Sequence, residues 1–120
     1  MQLLVRAFPI IPGREAVLRE MARSLSTERA GEAADFYARH GVARESWHLQ
    51  ESGSGSWVIG VTQIPDRPVE VAAKGYAEST HPFDAWFKEQ VKIVTGIDPD
   101  TQPLGPPTEC VFDTHAIANQ

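Results

Sequence analysis

An α+β domain built on one four-stranded antiparallel sheet is the fold class this sequence predicts, and three observations carry it. Strand-like and helix-like stretches alternate in the order strand, helix, strand, strand, helix, strand. The two middle strands are joined by Ser52-Gly53-Ser54-Gly55-Ser56, a short glycine-rich turn that reads as an antiparallel hairpin. The helical stretches carry apolar residues at 3.6-residue spacing, which gives each one side to bury.

The first strand runs from Gln2 to Phe8 and is closed by Pro9. Pro12-Gly13 opens a helix with Val17, Leu18, Met21 and Leu25 on one side. Ser26-Thr27 interrupts it, and Thr27 suits the N-cap of a second helical piece carrying Ala30, Ala33, Ala34 and Tyr37. Gly41 fits the left-handed position that ends many helices. Arg44 to Glu51 and Trp57 to Ile64 form the hairpin. Asp66 can cap a helix reaching Ala77, with Pro68 in the first turn, where its missing N–H costs nothing. The next helix spans about Pro82 to Thr95 and is stopped by Gly96. Phe83, Trp86, Phe87, Gln90, Val91 and Val94 make its inner face, and Asp84 and Lys88 are expected to pair at i,i+4 outside. Asp98 to Pro107 is a proline-rich connection, either a lid or an arm reaching another subunit. Thr108 to Thr114 is expected as the fourth strand, and 115–120 as a frayed tail of a single domain spanning 1–120.

This order is the split βαβ pattern of a ferredoxin-like βαββαβ fold. The hairpin strands are apolar or aromatic at odd and even positions alike, whereas a sheet covered on one face should alternate. A second subunit covering the other face resolves the conflict. A homodimer, with two four-stranded sheets face to face, is therefore expected.

With 120 residues, 42% of them hydrophobic, the chain can bury a core of ordinary domain size. A net charge of -5 and scattered basic residues argue against nucleic acid. No apolar run approaches a membrane span, and Arg6 and Pro9 interrupt the N-terminus too early for a secretory signal. The lone Cys110 forms no intrachain disulfide, which suits a reducing, cytoplasmic setting.

The motifs Glu45-Ser46-Trp47-His48-Leu49-Gln50, Ser79 to Lys88, Thr95-Gly96-Ile97-Asp98 and Gly105-Pro106-Pro107 resemble those of an uncharacterised bacterial family within the dimeric α/β-barrel superfamily. The likeness covers nearly the whole chain and extends, distantly, to antibiotic-biosynthesis monooxygenase-type domains. It implies the dimeric α/β-barrel fold, and a ligand held between sheet and helices. Haem-degrading members carry functional residues at positions falling near Arg6, Tyr76 and Trp86. None of the three matches, so the resemblance implies no haem here.

Each candidate residue has a structural reading beside a functional one. His81-Pro82-Phe83-Asp84 could form a metal pair or acid–base dyad, but it also describes a helix start, and metal coordination wants more ligands at closer spacing than the histidines offer. No metal and no cofactor are expected. His48 shares a strand face with Ser46 and Gln50, a polar row that suits a dimer seam or a ligand contact, and histidine suits proton transfer near neutrality. Arg6, mid-strand, needs an anion: Glu45, Glu109 or a substrate carboxylate. Tyr76 and Trp86 belong to an aromatic set that is either core or cavity wall. No activated nucleophile or phosphate loop is evident.

Two functions follow. In the first, a small aromatic or carboxylated metabolite lies between sheet and helices. Arg6 orients it, His48 carries a proton, and Gln50, Tyr76, His81 and Trp86 make contacts; any turnover would be proton transfer or cofactor-free oxygenation. The second is a non-catalytic dimeric binding or interaction module. An open pocket reached by His48 favours the first, and a closed core the second.

Overall fold

The computed structural model describes residues 2–118. Three strands, β1 (Gln2–Ile10), β2 (Arg44–Ser52) and β3 (Gly55–Ile64), form one antiparallel sheet in the order β1-β3-β2. Two helices, α1 (Glu15–Ser26) and α2 (Ala30–Arg39), lie between β1 and β2. Two more, α3 (Val69–Glu78) and α4 (Pro82–Thr95), follow β3, and a last turn, α5 (His115–Ala118), lies near the end. Among the described residues, no helix is long and apolar enough to cross a membrane.

The expected four-stranded sheet is not formed, so the ferredoxin-like βαββαβ order is matched only in part and lacks its last strand. The run from Thr108 to Thr114 is not a strand. Pro106 and Pro107, just before it, have no N–H for a ladder. Thr108 reaches β1, its hydroxyl donating to the Val5 carbonyl at 2.5 Å. Beyond it Val111 and Phe112 are 85% and 67% exposed, so nothing covers either side of the segment. Of the tail expected to fray, His115–Ala118 form a helical turn, and 119–120 lie outside the described residues.

Element ends follow local chemistry. α2 closes with Gly41 at φ +71°, where the Val42 amide donates back to the Tyr37 carbonyl at 2.9 Å, as in a Schellman motif. Thr27 does not cap α2. Its hydroxyl donates to the Arg23 carbonyl, one turn back in α1, and the N-cap position falls on Arg29. α4 has the expected bounds, with Pro82 in its first turn and Gly96 left-handed at its end.

The helices cover one face of the sheet. Ile10 and Val58 pack with Leu18 and Val94, while Met21, Ala33, Phe36, Phe83 and Phe87 form the core between α1, α2 and α4. The Phe36 and Phe87 rings stack with centroids 4.5 Å apart. Among the described residues, no helix covers the other face: Leu3 is 60% and Val5 37% exposed there, and Trp57, Ile59 and Val61 are half-buried on β3 beside them.

After α4 the chain folds back across the sheet to Gly105, which sits against Phe8. Gly105 has φ +69°, and a Cβ there would lie 2.2 Å from Cε1 of the Phe8 ring. Gly105→Ala is therefore expected to lower stability by about 2 kcal/mol, through backbone strain and overpacking together. Urea denaturation checks this, and an unchanged midpoint would show that the 97–105 segment does not depend on that contact.

Candidate functional site

Strand pairing sets two rows of residues across the helix-covered face. Leu4, Thr62 and Glu45 stand in one row, and Arg6, Gly60 and Trp47 in the next. Between these rows and the helices lies a cavity of about 160 Å³. An apolar void of about 150 Å³ is large enough to take benzene. Its walls are mostly aromatic and aliphatic, including Phe8, Trp47, Tyr76 and Phe87, and Ile97, Pro99 and Leu104 roof it.

Gly60 forms part of the floor, in the middle of the central strand. A Cβ at this position would meet no atom within 4 Å, and Gly60 is not among the positive-φ glycines. Neither its backbone nor a close neighbour demands glycine. What the missing side chain leaves is space, although glycine inside a strand weakens it.

Arg6 is half-buried in the cavity wall. Its Nη1 donates to the Val5 carbonyl and the Thr108 hydroxyl, each at 3.2 Å. Its Nε is buried with no hydrogen-bond partner, the one side-chain atom in that condition among the described residues. No described carboxylate pairs with it. The expected internal salt bridge to Glu45 or Glu109 is not made, because Glu45 is engaged elsewhere. Its Oε1 accepts from the Tyr37 hydroxyl at 2.8 Å and from Trp47 Nε1 at 2.9 Å, and its Oε2 accepts from the Thr62 hydroxyl at 2.7 Å. Burial, then the Glu45 charge, raise the Tyr37 phenol far above its ordinary value, so it stays a donor. Burial, followed by the charges of Glu45, Asp84 and Asp100, does the same to Tyr76.

Behind one wall lies a network around Asp84, which has no solvent exposure. Arg39 grips it with a fork at 2.9 and 2.7 Å, His40 Nε2 lies at 2.8 Å, and the Ser79 hydroxyl donates at 2.6 Å. Burial acts to raise the Asp84 carboxyl, but the bonds from Arg39, Ser79 and His40 outweigh it and hold the group well below the ordinary carboxylate value. His40 also lines the cavity, edge-on to both the Phe36 and Tyr76 rings. The expected surface pair of Asp84 with Lys88 does not exist. Both are buried, and Lys88 Nζ instead reaches Asp100 at 2.6 Å and the carbonyls of Ala77 and Ser79 at 3.1 Å each. Lys88 thereby fastens the roof segment to α4.

Of the residues singled out from the sequence, Arg6 and Tyr76 meet in the cavity. His48 and Gln50 lie on the opposite, helix-free face, where both are exposed; His48 Nε2 is 3.0 Å from the Ser46 hydroxyl. His81 caps α4, its Nδ1 accepting the Phe83 amide at 3.2 Å. Trp86 packs on Phe83 beneath the Arg29 guanidinium, 4.0 Å from its ring centre. Sequence reasoning gave Glu45 no role beyond a partner for Arg6, and it passed over Gly60. Both left a signal: Glu45 shares the period-two face of Trp47 and Leu49, and Gly60 interrupts an apolar strand.

Comparison of the chain with protein-family models, with curated proteins and with solved structures finds no match.

Proposed function

We propose that this protein binds a small aromatic carboxylate in the cavity between sheet and helices, and that it does so as a homodimer. The observation that carries the reading is the Arg6 guanidinium, which lines a ring-sized apolar cavity with its Nε unpartnered and without a counter-ion. A half-buried guanidinium with a buried, unpartnered N–H is under-satisfied, and a ligand carboxylate would supply the missing partner. The homodimer rests on the second face of the sheet, where Leu3, Val5, Trp57, Ile59 and Val61 make an apolar surface that none of the described elements covers. A cytoplasmic setting belongs to the same reading, on the strength of the single cysteine.

Calorimetric titration with benzoate tests the site. Wild type is expected to bind it, and Arg6→Met to bind about 30-fold more weakly, the usual worth of a charge-assisted hydrogen bond. Equal binding by wild type and a folded Arg6→Met would remove the reading. Sedimentation equilibrium tests the pairing, and a stable monomer at micromolar concentration would count against it.

A further inference from the structure

We propose that the cavity reads its ligand at two poles, Arg6 taking a carboxylate and Glu45 taking an O–H or N–H donor on the ring. The ligand class is then the hydroxy- or amino-substituted aromatic monocarboxylates. This rests on the binding function proposed above and narrows it.

The first support is that neither charge is neutralised. Glu45 accepts three hydrogen bonds, all from the neutral donors Tyr37, Trp47 and Thr62, and none of the ion pairs among the described residues includes it. Arg6 is bonded to a carbonyl and a hydroxyl, which are likewise neutral. Opposite charges lining one cavity would ordinarily be paired with each other. Here they stand apart across the Gly60 floor, a separation that suits a ligand of complementary polarity lying between them.

The second support is acceptor capacity. A carboxylate offers about four acceptor positions. The Tyr37 and Trp47 donors both use Oε1, and Oε2 has the Thr62 hydroxyl alone, which leaves it room for one more donor. The three donors fix the Glu45 carboxylate in position.

The third support is span. Arg6 and Glu45 lie two strands and two residues apart on the same face. At about 4.8 Å per strand and about 3.4 Å per residue, their Cα atoms are about 12 Å apart. A span of that size between the two positions is of the order of one substituted ring with its polar groups.

A site built to hydrogen-bond a ligand hydroxyl rejects the analogue without it, because its own buried polar group goes unpaired. The experiment titrates the full-length wild-type protein with benzoate, 3-hydroxybenzoate, 4-hydroxybenzoate, 4-aminobenzoate and terephthalate. At least one hydroxybenzoate is expected to bind about tenfold more tightly than benzoate, and terephthalate, whose second carboxylate would meet Glu45, more weakly than benzoate. In Glu45→Gln the preference for the hydroxyl over benzoate should shrink to about twofold. Benzoate binding as tightly as both hydroxybenzoates to wild type overturns the second pole and leaves the Arg6 site standing. If no compound of the series binds, both proposals fall. Should Glu45→Gln not fold, the wild-type order of affinities decides alone.

Discussion

Replacing Gly60 with valine is expected to abolish benzoate binding, a loss of at least about 100-fold, in a protein no less stable than wild type. The two effects separate because they have different origins. An added Cβ meets nothing, the position lies inside a regular strand, and valine suits an extended backbone better than glycine by up to about 1 kcal/mol. The valine methyl groups have only the cavity to occupy, and a ring cannot share a void of about 160 Å³ with them. Thermal melts and titration on the same preparation check both halves. A stable Gly60→Val variant that still bound benzoate as wild type does would place the ligand elsewhere. Destabilisation would mean that the floor is already close-packed.

Replacing Asp84 with alanine should cost about 3–5 kcal/mol, enough to unfold a large share of a marginally stable domain. The carboxylate is fully buried, and its removal strands the Arg39 fork, His40 Nε2 and the Ser79 hydroxyl at once. The pH dependence follows from the direction of its shift. The folded-state value lies below the ordinary carboxyl value of 3.8, so the native state binds this proton more weakly than the unfolded chain does. Its contribution is complete above about pH 5 and is lost as the pH falls toward the folded value. Denaturant midpoints between pH 3 and pH 7 should show this acid-side slope in wild type, and Asp84→Asn should lack that component. Identical slopes in the two proteins would mean that Asp84 is not held by these partners.

Much of the local structure was legible. α4 could be bounded from Pro82 in its first turn and Gly96 after its last residue, because both act through their own backbone geometry. The hairpin followed from its turn, and Arg6 stood out as a charge in a strand. The fourth strand was misleading. Thr108 to Thr114 has strand-like composition, but pairing needs backbone donors at the right edge and a covered face, and neither is a property of the segment alone. Asp84 and Lys88 read as an exposed pair at i,i+4. They became buried because Arg39 of α2, His40 at its C-cap, and Asp100 of the roof approach from distant positions in the chain.

What the sequence determined by itself is which residues share a face: Glu45 with Trp47, His48 with Gln50, Phe83 with Phe87. That follows from the repeat of strand and helix, which short-range sterics impose. The tertiary structure alone decided which of those faces meets the helices. It thereby brought Arg6, Glu45 and Gly60 to one cavity and turned His48 away from it. The reason is that burial and charge pairing depend on groups brought together from far along the chain, and no local period records them.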